Sequence, residues 1–172
     1  NKPHSAAYAV VTVHTAYLKA NYPIEYLAAL LSVERNNTDK LGLLVAEVRR
    51  LGIEVLPPSV NSSGLDFSIE YIDEEQVKWA AENAGLALAV PDGAEGCPAI
   101  RFGLGAIKNV GEGPIQAILE GRGDQPFESI DDFCERVDLR LVNRRVLECL
   151  AKAGALDCFG GRGQMLEIVD RM

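Results

Sequence analysis

The fold of this chain is decided by residues 103–122, GLGAIKNVGEGPIQAILEGR. A short apolar segment runs into two glycines, and Pro114 then opens an amphipathic segment. Two helix-like pieces joined so closely need a backbone position with positive φ, which glycine adopts freely and asparagine tolerates best among the other residues. The sequence Asn109-Val110-Gly111 supplies both residue types, and we expect an unusual φ at Gly111. We therefore predict a tight helical hairpin, with Val110 pointing into the core between the two helices.

The same joint has the chemistry of a phosphate-binding turn. Amides that follow Gly111 lie at the start of the next helix, where positive partial charge accumulates, and such a nest of amides suits a phosphate oxygen. Without Cβ atoms at 111 and 113, a nucleic-acid backbone can approach closely. Glu112 is an acid beside this site, although it favours the helix N-terminus. The alternative is a purely structural turn. The candidate DNA-binding residues of this joint are Lys108, Asn109, Val110, Gly111, Glu112 and Gly113.

A second, degenerate hairpin is predicted over residues 133–150, FCERVDLRLVNRRVLECL. The stretch again contains an apolar helix, a short joint and another apolar helix. Its joint carries Arg140 and no glycine, and Arg144 and Arg145 open the second helix. These three arginines are further candidate DNA contacts, and the alternative is that they form a solvated face.

The net charge of −8 argues against a nucleic-acid partner until its distribution is considered. Residues 65–98 hold eight acids and one base, a net charge of −7, whereas residues 139–154 carry +3. The acidity is therefore a local, solvated insert and leaves the rest of the surface free to meet phosphate. Four cysteines without C-x-x-C spacing and only two histidines predict reduced thiols in the cytoplasm and no metal site.

We predict a mainly α fold with a small β-patch in the middle of the chain. Because residues 4–20 are apolar almost all round, they predict a buried helix, with a strand as the rival at its β-branched residues. Further helices are predicted over 24–34, from a cap at Asn37 or Thr38 to Gly52, over 73–84, after a capping box at 129–132, and from Asn143 to Gly154. Short strands are predicted at 53–58, 66–72 and 99–104. No stretch is long and apolar enough for a membrane span, and the start at Asn1 indicates a piece of a longer chain.

The hairpin at 103–122 resembles the helix-hairpin-helix motif, with Asn109 where that motif usually has glycine. Several phrases together resemble the α subunit of bacterial replicative DNA polymerase III, a C-family polymerase. The phrases, which run in order over most of the chain, are NKPHSAAYAVVTVHTAYLKANYPIEYLAALLS, NNTDK, RRLGIEVLPPSVNSS, IRFGLGAIKNVGEGPIQAILEGR and FCERVDLRLVNRRVLECLAKAGALD. The stretch 73–98 departs from the family by being longer and more acidic.

This resemblance implies a part of a DNA-directed DNA polymerase, a nucleotidyltransferase of DNA replication. Residues 1–65 would be the end of the fingers domain, and residues 66–172 a tandem helix-hairpin-helix region that holds product duplex through backbone phosphates. Family position makes Lys2, His4 and Ser5 candidates for contact with the incoming nucleotide or the template, and the alternative for Ser5 is a helix cap. The rest of the polymerase chain would surround this piece.

Catalytic residues are not expected in this piece, and neither are metal ligands. The resemblance implies that the palm aspartates holding two Mg²⁺ ions precede it and that the sliding-clamp contact follows it. We therefore expect no nucleotide transfer by this chain alone. Two other classes of protein are alternatives to a DNA-binding polymerase segment. A helix-hairpin-helix glycosylase or nuclease lacks its catalytic Lys or Asp here, and a protein-interaction module would use the hairpins only structurally.

Overall fold

The N-terminal part of the chain is helical. The structure, a computed structural model, describes residues 2–72 and 96–171, with side chains from residue 4 onward. Its first three helices are α1 (Lys2–Asn21), α2 (Pro23–Val33) and α3 (Thr38–Arg50). The predicted cap is confirmed, because the Asn37 side chain accepts a hydrogen bond from Lys40 N at 3.2 Å. Gly52, with φ of 76°, ends the third helix as predicted.

Helix α1 confirms the predicted helix but not its predicted burial. The side chains of residues 4–20 are almost all exposed, including Tyr8 at 62%, Val13 at 65% and Tyr17 at 58%. An all-round apolar sequence predicts burial only if other elements surround the helix. In the described part of the chain α2 packs against it, and Lys19 pairs with Glu47 of α3 at 2.6 Å, which leaves most of its surface open.

A three-stranded sheet lies against α2 and α3. The strands are β1 (Glu54–Leu56), β2 (Ser68–Ile72) and β3 (Cys97–Arg101), in the order β1-β3-β2. β1 runs parallel to β3 and β2 runs antiparallel to it, with both Val55 and Ile69 opposite Ile100. The predicted strand at 99–104 is therefore shifted, because Leu104 already begins a 3₁₀ turn. The helix predicted over 73–84 and most of the acidic insert lie outside the described residues.

Short helices fill the C-terminal part. After the 3₁₀ turn (Leu104–Ala106) come α4 (Glu112–Arg122), α5 (Ile130–Arg136), α6 (Arg144–Ala153) and α7 (Arg162–Arg171). Both predicted caps are confirmed. Ser129 accepts from Asp132 N at 3.1 Å, and Asn143 accepts from Val146 N at 3.2 Å. Gly154, in the left-handed region with φ of 85°, ends α6.

Two apolar clusters organise these elements. One lies between α2, α3 and the sheet and includes Leu31, Val48 and Ile100. The other is shared by α4 to α7 and includes Phe133 and Leu150, both fully buried. The expected domain boundary at residue 65 stays a prediction, while the mainly α fold with a small sheet is confirmed.

Candidate nucleic-acid interface

The first hairpin joint turns at Asn109. Its φ of 65° is the single positive value at a non-glycine residue in the described ranges. Val110 is 8% exposed and packs into the C-terminal core, as predicted. The first arm is shorter than predicted, because only one 3₁₀ turn precedes the joint. Since Gly103 and Gly105 pack tightly against the backbone of Leu65 and Asp66, this arm is held by contacts rather than by helix length.

Gly111 does not carry the unusual conformation that we expected there. Its φ of −79° and ψ of 167° are extended, because the chain has already reversed at Asn109. A Cβ at Gly111 would meet Pro114 Cδ at 3.8 Å, an ordinary contact, and a Cβ at Gly113 would meet nothing within 4 Å. These two glycines therefore leave open surface in front of α4.

That open surface faces the start of α4. The hydrogen bond from Ile115 N to Gly111 O, at 3.3 Å, is the first of the helix, so the N–H groups of Glu112 and Gly113 precede the intrahelical bonding. Pro114 has no N–H and lies in the first turn, where none is needed. Ile115 and Ile118 are buried and fix the helix on the core. The positive end of α4 is thus presented on a firmly held element.

The acid at the joint is neutralised by a residue that sequence reasoning missed. Arg35, in the turn between α2 and α3, places Nη2 2.9 Å from Glu112 Oε1, and its Nη1 bonds the Asp66 carboxylate. The Glu112 charge is therefore compensated beside the open amides. No sequence signal could have linked Arg35 to Glu112, because the pair depends on how the N-terminal helices pack near the hairpin.

Lys108 lies on the other side of the joint, at the edge of a cavity of about 540 Å³. The hairpin contributes Ile107, Lys108 and Asn109 to the lining. Helix α6 contributes three further residues, namely Cys149, Lys152 and Ala153. Arg145, seven residues before Lys152, falls on the same face of that helix. The two predicted hairpins therefore share one groove, which is lined by two lysines.

The second joint holds its arginines differently. Arg140 is exposed, but its Nη2 lies 2.7 Å from Asp138 Oδ2, and its hydrogen bonds lower the pKa of Asp138 to about 2. Arg144 Nη2 donates to Asp170 Oδ1 of α7 at 2.9 Å. Arg145 is exposed and has no ion pair among residues 2–72 and 96–171. Of the three predicted arginines, only Arg145 is uncommitted.

Lys152 is a second basic residue that the prediction left out. Its Nζ lies 3.4 Å from Glu148 Oε2, one turn earlier on α6, and its side chain is 66% exposed. An exposed ion pair of this kind contributes about 0–1 kcal/mol to the stability of the fold, so Lys152 can exchange Glu148 for another partner. Its signal in the sequence was the i, i+7 spacing from Arg145, which places both on one helix face.

The three N-terminal candidates are on another element. Lys2, His4 and Ser5 lie in the first turn of α1, where His4 is exposed and its ring contacts Tyr8 edge-on at 4.5 Å between centroids. Neither His4 nor Ser5 is among the residues lining the cavity. Their contact with nucleotide or template stays a prediction.

The geometry of the joint agrees with the comparison to protein families. The model of the helix-hairpin-helix motif family matches residues 52–165. The chain belongs to the helix-hairpin-helix family. The match begins before the sheet and ends in α7, so the family unit includes both predicted hairpins.

Individual relatives confirm the resemblance to the polymerase α subunit. DNA polymerase III subunit alpha of Thermus aquaticus is 46% identical over 96% of this chain and 12% of that protein. The subunits of Deinococcus radiodurans and Vibrio cholerae are each 42% identical over 99% of this chain and over 11% and 13% of those proteins. The chain therefore spans about 12% of the length of the curated relatives it matches.

None of the described helices is long and apolar enough to cross a membrane. No group of three or more His, Cys, Asp or Glu side chains that could hold a metal ion occurs between residues 2 and 72 or 96 and 171.

Proposed function

We propose that this chain is a DNA-binding segment of a replicative DNA-directed DNA polymerase α subunit. In this proposal the first hairpin holds the sugar–phosphate backbone of template–product duplex without reading its sequence. The observation that supports it best is the open start of α4. Asn109 makes the turn, Gly111 and Gly113 leave space for a DNA strand, and Lys108 is exposed beside them.

The proposal divides the chain between two tasks. Residues 1–65 are the end of the fingers, whose exposed α1 is covered by the rest of the polymerase chain, and Lys2, His4 and Ser5 lie towards the nucleotide or template. Residues 66–172 grip duplex, with Arg145 and Lys152 supplementing the first hairpin. The exposed apolar side chains of α1 support the first part, since a large exposed apolar surface marks an interaction site.

In the same proposal, nucleotide transfer and the contacts with other replisome subunits belong to other parts of the polymerase chain. Nucleotide transfer depends on the Mg²⁺ ions expected in the palm, and the sliding clamp binds through other regions. We accordingly expect no primer extension by this chain alone. The site of action is the cytoplasm, a reducing compartment that suits a chain whose cysteines form no disulfide among the described residues.

Duplex titrations across a salt series test the phosphate contacts. We expect Lys108→Ala to reduce the slope of log K against log salt by about 0.9, the value for one phosphate contact. Gly111→Val keeps the fold, because its Cβ meets only Pro114, but places a branched side chain where the strand passes. We expect it to weaken binding about tenfold on each of two unrelated duplexes.

Arg140→Ala is the matched control, because it removes one positive charge that is already paired with Asp138. Its slope should equal that of the unaltered chain. If Arg140→Ala and Lys108→Ala reduce the slope equally, the charge acts through the general field of the protein. If Gly111→Val binds normally, the hairpin is only a structural turn.

A further inference from the structure

The cavity between the hairpin joint and α6 has two chemically different parts. Lys108, from the hairpin, and Lys152, from α6, supply positive charge. The remaining lining is mostly apolar and includes the ring of Phe102, together with Ile107 and Ala153. Its volume of about 540 Å³ falls in the range of roughly 300–1,000 Å³ that is usual for small-molecule sites.

A duplex backbone satisfies only one of these parts. Phosphate oxygens can pair with the two lysines, but they gain nothing from an aromatic ring and aliphatic side chains. The base faces of a duplex are stacked inside it and cannot reach the walls. A nucleotide without a pairing partner offers both features, a flat apolar base and a phosphate on either side.

We propose that this cavity takes the base of one unpaired nucleotide at the end of a DNA strand, while Lys108 and Lys152 hold its flanking phosphates. Asn109, which also lines the cavity, has a side-chain amide that can both donate to and accept from a base edge. The inference rests on the proposed nucleic-acid binding and extends it, since the hairpin joint holds backbone and the cavity beside it holds a base.

The ordinary role of Lys152 does not account for the cavity. A lysine in the last turn of α6 stabilises the negative end of the helix, and its contact with Glu148 is a common i, i+4 pair. Both interactions leave the side chain exposed. Neither explains why two lysines from different elements line one largely apolar cavity beside the hairpin joint.

Binding of three duplexes to the full 172-residue chain tests the inference. One duplex is blunt, one carries a single unpaired 3′ nucleotide and one a single unpaired 5′ nucleotide. We expect at least one overhang to bind about tenfold more tightly than the blunt duplex, in line with the effect of one stacked base. Equal binding of all three overturns the inference and leaves the proposed function standing. Absence of binding to any duplex overturns both.

A cavity-filling variant locates the effect. Ala153→Leu adds apolar volume to the wall without changing charge, and we expect it to abolish the preference for the overhang while blunt-duplex affinity changes less than twofold. Ala46→Leu, on an exposed position of α3, is the matched control and should retain the preference. An overhang preference that survives Ala153→Leu overturns the assignment to this cavity.

Cys149 provides an independent readout, because its thiol lies in the lining. At equal saturation, the preferred overhang should protect Cys149 from alkylation by iodoacetamide at least fivefold better than the blunt duplex. The competing occupant is an acidic peptide with an apolar side chain. A glutamate-rich peptide containing one phenylalanine that protects Cys149, with no difference between overhang and blunt duplex, would replace the nucleotide assignment by a protein partner.

Discussion

The two hairpin joints have the same place in their motif and offer different surfaces. The first turns through Asn109 at positive φ, leaves two glycines uncovered and exposes Lys108. The second, between α5 and α6, has no positive φ in residues 137–143. Its Arg140 is bound to Asp138, and the Arg144 that follows it is bound to Asp170.

The two joints share their topology but differ in what they offer to a binding partner. Both joints are flanked by helices that pack into one core, so both satisfy the structural requirement of the motif. The first leaves two glycines open in front of its helix, while the second uses Asp138 and Asp170 to hold Arg140 and Arg144 and leaves Arg145 as its uncommitted arginine among the described residues. Two joints of a tandem motif can therefore pack alike while they differ in the open surface and the free charge that they present.

Removing a side chain from the shared core should destabilise both hairpins together. Phe133 is fully buried, with its ring 4.9 Å from that of Phe127 and 6.1 Å from that of Phe159. We expect Phe133→Ala to lower the free energy of unfolding by about 3–5 kcal/mol. Urea denaturation measures it, and Leu43→Ala, at an exposed position, is the control. Hydrogen exchange that accelerates in α6 but not in α4 would show two separate units.

Substitutions at the asparagines of the two joints, Asn109 and Asn143, should destabilise the fold for different reasons. Asn109 is needed for its backbone conformation. We therefore expect Asn109→Val to lower the free energy of unfolding by about 1–3 kcal/mol and Asn109→Gly to leave it nearly unchanged. Asn143 is needed for its side-chain oxygen, which accepts from Val146 N, so Asn143→Ala should cost about 1 kcal/mol. Urea denaturation of the three variants checks this. Equal effects of Asn109→Val and Asn109→Gly would mean that φ is not the constraint.

Most of the fold follows from local sequence signals. The caps at Asn37, Ser129 and Asn143 and the end at Gly154 were predictable because each depends on residues within one helical turn. The exposure of α1 was not predictable, since its sequence describes the surface that its neighbours would cover and the described chain supplies few of them. The shift of the last strand reflects the 3₁₀ turn that begins at Leu104.

The candidate site was predictable only where it depends on one stretch of chain. Positive φ at the joint and burial of Val110 followed from the order of residues there. The assignment of unusual φ to Gly111 was wrong, because Asn109 completes the reversal before it. Arg35 was missed because a contact across the fold brings it to the joint, and the same kind of contact binds Arg144 to Asp170. The spacing of Lys152 from Arg145 was visible in the sequence, but its place beside Lys108 at the cavity depends on packing between distant parts of the chain.

Releasing an arginine should make the second joint more like the first. Asp170→Asn removes the partner of Arg144 at 2.9 Å and leaves only its longer contact of 3.7 Å with Glu148 Oε1, and we expect the salt slope of duplex binding to steepen by up to about 0.9. Asp124→Asn removes an equal charge from an exposed loop and controls for the general field. Identical slopes for the two variants would show that Arg144 does not reach a phosphate even when it is released from Asp170.

The finest test concerns the Asp138 carboxylate, whose hydrogen bonds from the Arg140 side chain and backbone lower its pKa from 3.8 to about 2. A lowered folded-state pKa stabilises the fold above the ordinary value, and this contribution is lost as the pH falls from about 4 towards 2. We expect the Asp138 carboxyl carbon to keep its ionised chemical shift from pH 6 to pH 3. Arg140→Ala keeps the backbone N–H that bonds Asp138 Oδ1, so the pKa of Asp138 should rise towards 3.8 and stay below it, while Arg145→Ala, which removes an equal but unpaired charge, should leave it unchanged. Titration near 3.8 in the unaltered chain would mean that Arg140 is as available to phosphate as Lys108, and the contrast between the two joints would disappear.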